Sequence, residues 1–123
     1  MNISLTEAEE KLACIIWREG DLMSPDLVVL SQRELGWKKS TTYTILKKLC
    51  DKGVLINENA KVSALLTHEE QTARESRRYI EDEFGGSLPS FLASFIRGGN
   101  ISQDEMSELK RLIDRYDGGD MGG

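Results

Sequence analysis

Residues Trp37–Leu55 read WKKSTTYTILKKLCDKGVL. Four lysines precede Cys50 and a fifth follows at Lys52, in a chain of 123 residues whose net charge is −5. Residues 38–52 hold five lysines against one aspartate, a local +4, whereas residues 1–37 sum to −4 and residues 69–84 to −3. The positive charge is therefore concentrated, and a local basic stripe matters more for nucleic-acid contact than the global balance. Stepping about 100° per residue around a helix puts Thr42, Ile45, Leu46, Leu49 and Cys50 on one side. Ser40, Thr41, Thr44, Lys47 and Lys48 fall on the other, and Tyr43 lies at the border. Hydroxyls on such a face can donate to or accept from base edges, and a threonine methyl can pack on thymine. Lysines beside them neutralise phosphates and release counterions. The candidate DNA contacts are Lys38, Lys39, Ser40, Thr41 and Thr42, with Tyr43, Thr44, Lys47 and Lys48, joined by Lys61 from a following hairpin.

The segments around this stretch complete a pattern. Thr6-x-x-Glu9 is a capping box, so a helix over about 7–19 is expected, ending at Gly20. Asp21-Leu22-Met23 is a short extended piece. Ser24-Pro25 reads as a cap followed by proline in the first turn, opening a second helix over about 25–35 that stops at Gly36. The lysine helix starts near Ser40 and ends by Gly53. Two apolar runs then flank a polar turn at Asn57-Glu58-Asn59-Ala60, which reads as a β-hairpin. Helix, short strand, helix, turn, helix and hairpin is the order of a winged helix-turn-helix.

A second capping box, Thr67-x-x-Glu70, opens a long polar helix to about Phe84, whose apolar positions are Ala73, Tyr79, Ile80 and Phe84. Gly85-Gly86 breaks it. Ser87-Leu-Pro starts a short helix, and Ser102-x-x-Glu105 caps the last one. Leu88, Phe91, Leu92, Phe95 and Ile96 form one apolar stripe; Met106, Leu109, Leu112, Ile113 and Tyr116 form another. Helices this short are not stable alone in water, and a polar helix parts them from the first domain, so their stripes are expected to form a homodimer interface. The expected organisation is a winged-helix DNA-binding domain over 1–67, a connector helix over 68–86, a helical dimerisation segment over 87–117 and a flexible tail over 118–123. The fold class is mainly α with a small β-hairpin.

The W-x-x-S-T-x-x-T-x-L-x-x-L run and the later GGS-x-x-x-F-x-x-x-F resemble the penicillinase-repressor family of bacterial transcription repressors, over about residues 3–116. The resemblance implies a homodimeric repressor on a palindromic double-stranded DNA operator, connected with β-lactam resistance. It also implies release by a membrane sensor protease, through a cut before an aromatic residue in the first dimerisation helix; the matching bond here is Ser94-Phe95. The Cys-x-Cys pairs of the family's copper-responsive branch do not occur, so copper sensing is not implied. The sequence also departs from the family at Tyr43 and in the wing, where relatives carry more basic residues.

Other classes fit less well. His68 is the one histidine, and its place at a helix start reads as an exposed first-turn residue. No nucleophile–base pair, phosphate loop or metal-ligand spacing occurs, so neither an enzyme, a cofactor nor a small-molecule substrate is expected. Cys14 and Cys50 sit in helical apolar patterns and read as free thiols in a cytoplasmic protein. No export signal and no membrane span is apparent. Two alternatives stay open: a winged-helix protein–protein adaptor, and a repressor released directly by a small ligand.

Overall fold

The computed structural model describes residues 3–116; Asp117 and the tail expected over 118–123 lie outside the described residues. The chain divides into two compact units, residues 1–78 and 79–123.

In the first unit α1 (Glu7–Glu19) carries the capping box expected of it: the Glu9 amide donates to Thr6 Oγ1 and the Thr6 amide to Glu9 Oε1. β1 (Leu22–Met23) leads into α2 (Ser24–Leu35), which ends at Gly36 in the left-handed region. Ser24 does not cap α2, contrary to the sequence expectation. It is buried, its amide donates to the Ala60 carbonyl at 2.6 Å, and its hydroxyl receives the Tyr43 hydroxyl at 3.2 Å. α3 (Lys39–Asp51) is followed by β2 (Leu55–Glu58) and β3 (Lys61–Ala64). The strands form a three-stranded antiparallel sheet in the order β1-β3-β2. The hairpin turn is tighter than the sequence suggested: Asn57 and Glu58 belong to β2, and only Asn59 and Ala60 make the turn, both at positive φ (53° and 67°). Two successive positive φ angles match the right-handed twist of the flanking strands.

Leu12, Ile15 and Ile16 of α1, Leu27 of α2, Leu46 and Leu49 of α3, Val54 just before β2, and Leu55 and Val62 of the sheet form one core, all but withdrawn from water. Arg18 joins α1 to α2 through a bidentate pair with Glu34 (2.9 and 2.6 Å). Cys14 and Cys50 are free and half-buried. Burial pushes both thiols up, and the Glu10 and Asp51 carboxylates push further.

α4 (His68–Phe84) begins with the second capping box and runs from the first unit into the second. The helix was expected as a polar connector, and its first turns dock through polar atoms. Ala73 is exposed, while Gln71 is buried and donates to the Ile3 carbonyl at 2.9 Å. Arg74 donates to the Lys52 carbonyl and Glu75 accepts from the Leu5 amide. His68 is exposed as expected, and its ring stacks on Trp17 with centroids 4.5 Å apart.

The second unit contains α5 (Leu88–Arg97) and α6 (Gln103–Arg115), capped by Ser87 and Ser102. Tyr79, Phe84, Phe91 and Phe95 form a chain of ring contacts with centroids 5.5–6.2 Å apart. No residue of α5 or α6 is fully buried.

Candidate nucleic-acid interface

The opening stretch folds into α3 and the turn before it, and the structure sorts its residues by solvent access. Leu46 and Leu49 point into the core, with Ile45 and Cys50 packed beside them. Lys38, Lys39, Ser40, Thr41, Thr44, Lys47 and Lys48 are all exposed. The sequence placed Thr42 among the DNA contacts; the structure corrects this. Thr42 is 0% exposed. Its hydroxyl lies 2.7 Å from the Ser31 hydroxyl and donates to the Lys38 carbonyl, so it fastens α3 to α2 from inside. Tyr43 is half-buried with its hydroxyl committed to Ser24.

The charge pattern of α3 differs from that of the other helices. Acids occupy the first turns of α1, α2, α4 and α6, where they complement the helix dipole. α5 has no acid there but has a serine cap. α3 has neither an acid in its first turn nor a side-chain cap, and lysines stand at 38 and 39 instead. Cations at a helix N-terminus oppose the dipole, but they suit a site that receives an anion. Lys47 is shared with Asp51 of the same helix at 3.5 Å. Lys38, Lys39 and Lys48 have no salt-bridge partner among the described residues.

Two lysines need separate treatment. Lys52, part of the +4 segment in sequence, is not on the exposed face. Its ammonium donates to Glu9 and to the Ser4 carbonyl at 2.7 Å, and its side chain is only 15% exposed. Lys61, expected as a wing contact, is exposed and lies 3.5 Å from Asp21. Asp21 was not singled out in the sequence, because only the pairing of β1 with β3 brings it to the wing.

In the second unit, Leu88, Phe95, Ile96, Leu112, Ile113 and Tyr116 are exposed, and Phe91, Leu92, Met106 and Leu109 are half-buried. A groove of about 590 Å³ runs between α5 and α6, floored by Phe91, Phe95, Leu109 and Leu112 and rimmed by Glu105 and Arg115. Ser94 and Phe95 are both open to solvent. Among the described residues no group of acids, histidines and cysteines is placed to hold a metal, and no helix is long and apolar enough to cross a membrane.

Residues 5–115 match the family described as Penicillinase repressor. The methicillin resistance regulatory protein MecI of Staphylococcus aureus is 22% identical over 115 residues, covering 90% of this chain and 94% of that protein. The penicillinase repressor of Bacillus licheniformis is 19% identical over 116 residues, covering 91% of each. An uncharacterised 16.5 kDa protein of Latilactobacillus sakei is 26% identical over 113 residues, 89% of this chain and 77% of its own length. The chain belongs to the penicillinase repressor family, a family of transcriptional repressors.

Proposed function

We propose that this family member is a cytoplasmic, non-enzymatic homodimer that binds a palindromic operator through α3 and represses transcription. The observation that carries the proposal is the exposed face of α3, where Ser40, Thr41 and Thr44 stand among lysines without acid partners. A recognition helix presents its N-terminal residues to base edges in the major groove. On α3 those residues are hydroxylic, with cations on both sides for the phosphates. The exposed apolar stripes of α5 and α6 support dimerisation, since a two-fold protein reads two half-sites about 34 Å apart. The names of two relatives support a role in resistance to β-lactam antibiotics.

Release follows from the same reading. A sensor-controlled cut between Ser94 and Phe95 would detach Phe95, Ile96 and all of α6 from the DNA-binding unit. Both residues are exposed, and Gly85-Gly86 and Gly98-Gly99 flank the helix that must open locally for a protease.

The experiment is selection of duplexes from a random pool by the full chain, followed by a salt titration of affinity. A palindromic consensus is expected, with affinity that falls steeply with salt. Lys48→Ala should weaken binding to all sequences and flatten the slope by about one unit. Recovery of no consensus would favour a protein–protein adaptor instead.

A further inference from the structure

We infer that the wing is kept off the DNA phosphates by its own carboxylates, and that Asp21 and Glu58 thereby leave the recognition helix in charge of affinity. This rests on the DNA-binding reading above. Residues 53–67 contain one cation, Lys61, and one acid, Glu58. The ladder pairs these two directly across the hairpin, and it pairs Lys61 on its other side with Met23 of β1. Directly opposed residues of an antiparallel pair project from the same face of the sheet. Glu58 and Lys61 therefore share a face at the wing tip. The β1 pairing also brings in Asp21, whose carboxylate lies 3.5 Å from the Lys61 ammonium. Asn59 and Ala60, the turn itself, add no charge. The wing tip thus carries two carboxylates and one ammonium, with Asp21 paired to the ammonium and Glu58 on the same face.

The Asp21–Lys61 pair is exposed on both sides and stabilises the fold little. Its consequence lies in what a phosphate would meet. A phosphate approaching Lys61 competes with Asp21 for the ammonium and meets the Asp21 and Glu58 carboxylates, in a region of net negative charge. α3 differs: Lys38, Lys39 and Lys48 have no acid to displace. The two basic elements of the DNA-binding unit are therefore unequal. One offers available cations next to exposed hydroxyls, and the other offers a compensated cation. A wing that gripped phosphate would raise affinity for every duplex alike, because phosphate contacts carry no sequence information. Keeping it neutral or repulsive holds sequence-independent affinity down.

The test uses the full chain, the duplex selected by wild type and a scrambled duplex. Affinities are measured from about 50 to 200 mM salt, a range over which one phosphate contact changes affinity roughly threefold. Lys61→Ala should leave the salt slope unchanged, whereas Lys48→Ala lowers it by about one unit. The double variant Asp21→Asn/Glu58→Gln should bind both duplexes about threefold or more tightly at low salt and steepen the slope, with the ratio between them unchanged. All four positions are exposed, so thermal melts should stay at the wild-type value. The inference is overturned if Lys61→Ala lowers the slope as Lys48→Ala does. It is equally overturned if the double variant binds the scrambled duplex no better than wild type. If the wild type binds no duplex at all, the DNA-binding reading falls and takes this inference with it.

Discussion

The Lys52 ammonium lies 2.5 Å from the Glu9 carboxylate, in a contact where the two side chains are only 15% and 3% exposed. It joins the end of α3 to the start of α1. Burial raises the Glu9 carboxyl, but hydrogen bonds from Lys52 and from the Thr6 amide, with the Lys52 charge, outweigh it and hold it below the usual carboxylate range. A depressed carboxylate contributes stability above its unfolded pKa and loses it as pH falls through the folded one. Lys52→Met should strand a buried carboxylate and cost roughly 3 kcal/mol at neutral pH. That cost should shrink as the pH is lowered through the carboxylate range, because protonation of Glu9 removes the unpaired charge. Chemical denaturation at a series of pH values measures both effects, and a cost independent of pH would show that the pair contributes nothing specific.

A second prediction concerns Thr42, whose hydroxyl shares a bond with Ser31 where both residues are 0% exposed. Thr42→Val leaves the Ser31 hydroxyl buried without that partner and should cost about 1–3 kcal/mol. Adding Ser31→Ala removes the stranded group and should restore much of the loss. Neither change should alter DNA affinity per folded molecule, which a gel shift on folded protein would verify.

These two sites mark what the sequence could not convey. The helices were legible because their ends are written locally: Thr6, Thr67 and Ser102 each cap a helix with a glutamate three residues on, and Gly36 ends α2. Lys52, Thr42 and Ser24 were not legible, because a polar residue's burial depends on partners 43, 11 and 19 positions away. Periodicity did place Thr42 on the inner face, yet its residue type argued for the outer one, and packing decided. The docking of α4 escaped notice for a related reason. Its inward positions are Gln71, Arg74 and Glu75, which pair with backbone groups and leave no apolar stripe to read.

The hairpin turn gives a third prediction. Ala60 sits at φ 67°, a region that costs an L-residue about 1–2 kcal/mol, so its β-carbon is strained. Ala60→Gly relieves the strain but adds backbone freedom to the unfolded chain. The net gain should be roughly 0.5–1 kcal/mol, read as a raised midpoint in urea at unchanged slope. A loss of stability would mean that the turn geometry is not held in solution.

Thr44 supports a fourth, about base reading. Its hydroxyl donates to the Ser40 carbonyl at 2.9 Å, so the exposed side chain offers lone pairs and a methyl group to a base. It can accept from an adenine or cytosine amino group, or pack its methyl on thymine. Thr44→Val keeps the methyl and loses the acceptor, while Thr44→Ser does the reverse. If the hydroxyl reads a base, the valine variant should lose roughly 1 kcal/mol of discrimination at one A or C position, and the serine variant should keep it. If the methyl reads thymine, the order reverses. Equal consensus motifs from wild type and both variants would remove Thr44 from the list of base contacts.

The last prediction tests how assembly controls the operator. Ile113 is 51% exposed in the single chain, so replacing it with aspartate costs the fold of one copy little. In a dimer interface the same carboxylate would be buried in apolar surroundings without a partner, which is strongly unfavourable. Ile113→Asp should therefore sediment as a monomer at concentrations where wild type is a dimer, with the melt of the first unit unchanged. The exposed face of α3 is untouched, so affinity for one half-site should persist. Affinity for the full operator should fall by about 10²–10⁴, the effective-concentration gain that tethering supplies. A chain ending at Ser94 should behave the same way, because it lacks Phe95, Ile96 and the whole of α6. Agreement between the two variants would mean that a cut at this bond silences the repressor by uncoupling two intact DNA-binding units. A truncated chain that held the full operator as tightly as wild type would rule that mechanism out.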